Sequence, residues 1–596
     1  MSRASPRVAA ARGLAFATSP LLEPALPAWR SRFLLCMLAA LFALLAVRAV
    51  WLQAVSDGFL QKQGAARHVR TLKLPASRGR ILDREGRVLA VSLPARAVWA
   101  DPGQAAGADP ASLRELARLL DMDEGTVRAR LASDRAFVYL KRQVAMDTAR
   151  RVLALGIPGV AAREDTRRHY PQGSIAAHLV GFTDIEDVGQ EGMELARQEQ
   201  LLGTPGARRV IRDRLGRVVE DLDSVRPAID GRDLSLSIDR NLQHIARTHL
   251  AAALARHGAK AGGIVVLDVR SGEVLALANL PDYDPNDRRR LSGAQLRNRV
   301  LTDTFEPGSV MKPFTIALAL EQGIATPDTL IETGGGRLRI GTASIGDASR
   351  HGTLTVSQVL EKSSNIGTAR LALQMQPESM WTLLSELGFG QAPDLGFPGS
   401  VAGRLRPYRS WRPIEQATIS YGHGLSTSLM QMARSYMVFA RDGEMVPVTL
   451  LKRDAPPPAR QVIPGHVARE VRAMMERAAG PGGTAARARV AAYRVAGKTS
   501  TAHKVEAGRY VKRYVASFVG LAPVSDPRII VAVMVDEPTV GGHYGGVVAA
   551  PVFAAVTQDV LHALNVGPDA PVGDIIAQEA QEAQEAQEAQ EAQEAP

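Results

Sequence analysis

The sequence predicts an α+β protein carried on a single membrane-spanning helix. Three observations predict it. One apolar run, FLLCMLAALFALLAV at 33–47, follows an arginine-bearing N-terminus. Two distant stretches, GGIVVLDVRSGEVLALANL (262–280) and YVASFVGLAPVSDPRIIVAVMVDEP (514–538), each read as two strands about a short turn. Between them, segments such as SVMKPFTIALALEQG (309–323) repeat apolar residues at helical spacing.

Taken in order, residues 1–30 are small, Pro- and Arg-containing, and expected to form a disordered cytoplasmic tail. The span is placed at 31–54, about the 20 residues that a bilayer core requires. Arg30 and Arg32 precede it, with Arg3, Arg7 and Arg12 upstream, which predicts a cytoplasmic N-terminus and an exported bulk. Trp29 and Trp51 flank the run as interfacial anchors, and Arg48 at its outer end disfavours cleavage as a signal peptide. Residues 55–230 mix strand-like RILDREGRVLAVS (80–92) with helical ASLRELARLLDMDEGTVRARLA (111–132), an irregular α+β region. From 231 the texture changes to a strand, LSLSID (234–239), and a helix, NLQHIARTHLAAALARHG (241–258). One domain is therefore drawn over 231–565, with sheet strands at both ends and helices between. The remainder, 566–596, ends in six repeats of QEA, read as a solvated tail because it has no apolar stripe to bury.

Composition narrows the function. Hydrophobic residues make up 46% and charged residues 22%, as in ordinary folded proteins. The formal charge of +11 comes without zinc-finger spacing, a Walker motif or an RNA-binding aromatic signature, so nucleic acid is not an expected partner. The only cysteine, Cys36, lies in the span, which excludes an intrachain disulfide and a catalytic thiol elsewhere.

Three short stretches carry chemistry. In FEPGSVMKPF (305–314), Ser309 and Lys312 stand three apart at the start of a helix and project on one face. A serine hydroxyl needs a neighbouring base, and a lysine serves once burial lowers its pKa. In EKSSNIGTAR (361–370), Ser363 and Asn365 are placed to reach one cleft from a loop between helices. In AGKTSTAHK (496–504), Lys498 and Ser500 share one face of a strand and Thr499 and Thr501 the other. Each alone also reads as a helix cap or a lysine-blunted edge strand.

Together, S-x-x-K, then S-x-N, then K-T-x is the motif order of the serine transpeptidases and β-lactamases that bind penicillin. The chain also resembles class B penicillin-binding proteins at RGRILDREGRVLA (78–90), RRHYPQGSIAAHLVGF (167–182), GQEGMELARQEQLLGTPGARRVIRDRLGRVVED (189–221), SYGHGLSTSLMQMARSY (420–436) and YGGVVAAPVF (544–553). It looks most similar to the FtsI type, the septal D,D-transpeptidases of bacterial division, with the elongation type as the alternative.

The resemblance implies a pedestal over 55–230 and a transpeptidase domain over 231–565, built as a helical subdomain against a five-stranded antiparallel sheet. It implies Ser309 as nucleophile, Lys312 as proton acceptor, Ser363 as relay, and Asn365 as holder of the donor amide. Lys498, Thr499, Ser500 and Thr501 would form the carboxylate-binding strand, with N–H groups of Ser309 and Thr501 as the oxyanion hole. No metal or cofactor is implied. Implied partners are peptidoglycan stem peptides, β-lactam antibiotics, an FtsW-like lipid-II polymerase, other divisome proteins and the inner membrane. The family pattern is K-T-G, and Ser500 departs from it by a Cβ and a hydroxyl. That departure raises a weakly active or non-catalytic paralogue as a further alternative.

Overall fold

A computed structural model describes residues 28–51, 69–74, 76–212 and 218–571. The tail expected up to residue 30 falls largely outside them, and so do the QEA repeats. The chain forms two compact units, 1–75 with 205–228 and 76–204 with 229–596.

The first unit holds helix α1, Ala28–Val50, whose side chains from Trp29 onward are exposed. Its mean hydropathy is 2.5 over Trp29–Val50, as a lipid-facing span requires. The helix starts three residues before the expected span, and residues 52–54 of that expectation lie outside the described ones. The unit also holds an antiparallel sheet of Val69–Leu74, Gly206–Arg212 and Val218–Arg226.

In the second unit, Val88–Ala100 pairs antiparallel along its length with Val160–His169 and also with Val138–Val144. Helices Pro110–Leu119 and Glu124–Leu131 follow, capped by the Asp109 and Asp123 carboxylates accepting from Ser112 and Thr126 N–H. They close a small core around Leu116, Leu120, Val127 and Leu140. The 78–90, 167–182 and 189–221 stretches meet in a buried ion triad. Glu194 accepts from Arg78 Nε at 2.6 Å and Arg168 Nε at 2.7 Å, with all three side chains at most 2% exposed.

The larger part begins with α2, Arg240–His257, capped by the Asp239 carboxylate and ended by Gly258 at φ +54°. Strands β1 (Ala261–Asp268) and β2 (Val274–Leu280) form the expected hairpin. After α3 (Lys312–Glu321), α4 (Val356–Glu361) and α5 (Asn365–Ala372), the chain returns as β3 (Ala496–Glu506), β4 (Arg509–Ala522) and β5 (Ile529–Asp536). The sheet order is β2-β1-β5-β4-β3, antiparallel throughout, with β3 at an edge.

Strands β1 and β5 are buried at every position because both faces of the sheet are covered. Period two then sorts alternate residues into two cores. Val265, Leu267, Ile530 and Ala532 join Phe314 and Ile316 of α3. Ile264, Val266, Val531 and Val533 join Leu242, Ala246 and Leu250 of α2, together with Phe553 and Val556 of α6 (Ala550–Ala563). Helix α2 packs close because β1 carries a glycine beneath it. A Cβ on Gly262 would lie 2.9 Å from Leu250 Cδ1 and Leu254 Cδ1. The segment Gly545–Ala563 is apolar and long enough to span a bilayer, yet its buried residues pack on the sheet as core.

Candidate active site

The nucleophile candidate sits against the edge strand β3, with its neighbours Val310 and Met311 in the core shared with α3. Gly308–Met311 forms a 3₁₀ turn that runs directly into α3, so Ser309 opens the helix as expected. Gly308 has φ +61°, a left-handed conformation that glycine adopts without a Cβ penalty. Its N–H donates to Gly422 O at 3.0 Å, which ties the turn to the 421–424 segment.

Lys312 is fully buried, and its Nζ donates to Ser309 Oγ at 2.9 Å. The same nitrogen donates to Ser363 O at 2.5 Å and Ser363 Oγ at 3.0 Å. Burial pushes the Lys312 pKa well below the ordinary lysine range. The Lys498 charge lowers it further, and Asp347 opposes. The lowered pKa moves the Lys312 amine, held against the serine hydroxyl, toward the neutral form that a proton acceptor needs.

Ser363 lies between α4 and α5 at φ +62°, unusual for a residue with a side chain. That conformation offers both its carbonyl and its hydroxyl to Lys312. The next turn is capped from a distance. Asp347 Oδ1 accepts from Asn365 N at 2.6 Å and Ile366 N at 3.0 Å, and Oδ2 accepts from Ser364 Oγ at 2.6 Å. Asn365 Nδ2 donates to Gly346 O at 2.9 Å, leaving its amide oxygen without a partner among the described residues.

On β3, Lys498 is fully buried and reaches Thr499 Oγ1 at 3.3 Å and Thr484 Oγ1 at 3.4 Å. Burial alone pushes its pKa down to about 7. Thr501 Oγ1 accepts from Gly545 N at 2.9 Å. Ser500 is turned differently. Its Oγ lies 2.3 Å from where a Cβ on Gly308 would fall, so the hydroxyl is packed on the nucleophile's turn. That oxygen is buried and carries no hydrogen bond.

These residues line one cleft of about 810 Å³, which includes Ser309, Ser363, Asn365, Thr499, Ser500 and Thr501. Lys312 and Lys498 lie beneath its wall. The structure therefore brings all eight expected positions together across 192 residues of chain, from Ser309 to Thr501. Sequence reasoning gave no role to Asp347, Thr484, Tyr421, His423, His503, Tyr514, His543 or Tyr544, which contribute to the same site. Asp347 caps a helix 18 residues away, which no local pattern reveals. The YGHG and GGHYGG stretches carried a signal, as rings interleaved with glycine.

Comparison with known proteins places the chain in a family. A model of the penicillin binding protein transpeptidase domain matches residues 262–558. A model of the penicillin-binding protein dimerisation domain matches 73–236. The chain is 42% identical over 548 residues to a probable peptidoglycan D,D-transpeptidase PenA of Neisseria gonorrhoeae, covering 91% of this chain and 94% of that one. It is 40% identical over 550 residues to the peptidoglycan D,D-transpeptidase FtsI of Escherichia coli, covering 91% and 93%. The apo transpeptidase domain of Burkholderia pseudomallei penicillin-binding protein 3 is 52% identical, with TM-score 0.53 over 56% of this chain and 98% of that one. A peptidoglycan synthetase from Bifidobacterium adolescentis, 26% identical, superposes with TM-score 0.67 over 84% of this chain and 98% of that one.

Proposed function

The chain belongs to the class B penicillin-binding proteins, and from that premise we propose that it cross-links peptidoglycan stem peptides at the division septum through an acyl-enzyme on Ser309. Its activity is peptidoglycan D,D-transpeptidation. The observation that carries the acyl-enzyme reading is the buried Lys312 amine, bonded at once to Ser309 Oγ and to Ser363.

In this reading Lys312 takes the Ser309 proton as Oγ attacks the penultimate D-Ala carbonyl. Ser363 passes a proton to the departing D-Ala amine. Asn365 holds the donor amide, and the hydroxyls of Thr499 and Thr501, backed by Lys498, hold the terminal carboxylate. The N–H groups of Ser309 and Thr501 stabilise the oxyanion, at about 3 kcal/mol per donor in related acyl transfer. An amine from a second stem then attacks the ester and restores Ser309. A β-lactam would enter by the same acylation and remain attached. Helix α1 anchors the protein in the inner membrane with residues 55–230 as pedestal and 231–565 as transpeptidase domain. An FtsW-like polymerase and other divisome proteins are the partners of this reading.

Fluorescent penicillin should label the full chain and fail to label Ser309→Ala. An unlabelled wild type would remove the acyl-enzyme reading. A fluorescent fusion should gather at midcell, and uniform sidewall signal would favour the elongation type.

A further inference from the structure

The second half of that reaction contains a proton that Ser309, Lys312 and Ser363 do not dispose of. A lysine-like acceptor amine has an unperturbed pKa of about 10.4, so it arrives as an ammonium with no lone pair. Lys312 accepts the proton released when a neutral amine attacks, and returns it to Ser309 Oγ. The ammonium's extra proton needs another base beside the acyl carbon.

His423 is placed for it. Its neighbour Gly422 accepts from Gly308 N at 3.0 Å, one residue before Ser309, and the imidazole lines the same cleft as Ser309. The ring lies 5.3 Å from Tyr421 and 6.1 Å from Tyr510, centroid to centroid, and neither nitrogen has a hydrogen bond among the described residues. The other cleft imidazoles are engaged differently. His503 Nδ1 lies 3.2 Å from Val511 O, and His543 is stacked between Tyr514 and Tyr544.

The groups facing His423 are Glu306 from the loop before the nucleophile, Lys312 from α3, His503 from β3, and the phenols Tyr421 and Tyr510. Burial lowers the His423 pKa, Glu306 opposes, and Lys312 and His503 add to the lowering. The resting imidazole is therefore neutral at neutral pH. Glu306, held by Gly424 N at 2.8 Å and Tyr510 OH at 3.0 Å, stands ready to stabilise an imidazolium. Loss of water around an ammonium entering the cleft disfavours its charged form and so lowers its pKa in the direction of imidazole.

We propose that His423 is the base that deprotonates the acceptor ammonium for attack on the acyl-enzyme. One N–H bond of the ammonium breaks, and its electron pair stays on nitrogen. The proton moves to an imidazole nitrogen of His423, stays there beside Glu306 during the attack, and is then released to water. The amine then attacks the ester carbonyl and Ser309 Oγ departs. This role rests on the acyl-enzyme reading above.

The test uses the detergent-solubilised full chain, a small ester donor and a primary-amine acceptor. The readout is the ratio of aminolysis to hydrolysis against pH. In His423→Gln the ratio should fall about tenfold or more at neutral pH and recover toward about pH 10, where the acceptor deprotonates itself. An acceptor amine of low pKa, already neutral, should restore the ratio at neutral pH. Acylation by fluorescent penicillin reports whether the variant is folded. A second measurement needs no variant: the wild-type ratio should depend only weakly on acceptor amine pKa. A ratio in His423→Gln that parallels wild type at every pH would overturn the proposal, and so would a steep wild-type dependence on amine pKa. Absence of Ser309 acylation in wild type would instead overturn the reading beneath it.

Discussion

Gly308→Ala and Ser500→Gly should be strongly coupled. A Cβ at residue 308 would lie 2.3 Å from Ser500 Oγ, 3.7 Å from Ser500 Cβ and 3.9 Å from Ala502 Cβ. Only the first contact is too close to keep, so Ser500 Oγ or the turn must shift. Gly308→Ala also places a side chain at φ +61°, costing about 1–2 kcal/mol. The overlap adds about 1–3 kcal/mol, the usual cost of overpacking. Both strains fall on the turn that aims Ser309. If they are felt in the acylation transition state, the single change slows labelling by about a hundredfold, at about 1.4 kcal/mol per decade. Ser500→Gly removes the obstructing oxygen. The double variant should therefore regain about tenfold or more over Gly308→Ala, leaving the backbone cost. The assay is the second-order rate of acylation by fluorescent penicillin for all four proteins, with thermal midpoints alongside. Effects that simply add, within about 0.5 kcal/mol, would refute the packing of Ser500 on Gly308.

Ser500→Ala should stabilise the protein by about 1 kcal/mol, because it removes a buried hydroxyl with no partner; thermal unfolding measures it. Lys312→Met should abolish measurable acylation while leaving the fold, since it fills the same buried space without a proton acceptor; labelling and circular dichroism together check this. Binding of a carboxylate-bearing donor should weaken as pH rises through about 7, because the Lys498 cation exists below that value and is lost above it; KM against pH, flattened in Lys498→Met, reports it. For stability the same group works in the opposite direction, because between about 7 and 10.5 the unfolded chain holds the proton that the folded one has lost, so stability from Lys498 rises with pH there. Asp347→Ala should cost about 1–2 kcal/mol by uncapping α5 and should slow acylation through Ser363 and Asn365.

The local code of this chain is legible. The apolar run with its basic flank defines α1, and the Arg-Ser-Gly and Ser-Asp-Pro turns define the β1–β2 and β4–β5 hairpins. Such features follow from periodicity and turn chemistry, which act within about ten residues. The three motifs also named the residues at the cleft, because an acyl-transfer site needs a hydroxyl, a masked amine and anion-holding donors.

Tertiary structure decided what each of these residues faces. Alternation on β3 placed Ser500 beside Lys498, but only the approach of Gly308 shows that the hydroxyl meets the nucleophile's own turn. Whether Lys312 and Lys498 titrate as ordinary lysines depends on burial, which no spacing reveals. Asp347 reaches α5 across 18 residues, Glu194 joins Arg78 across 116, and His423 is brought to the Ser309 turn by the backbone hydrogen bond of its neighbour Gly422. Sequence specifies which groups are available and their local geometry. Their protonation and partners depend on dielectric and distance, and those exist only once distant segments have packed.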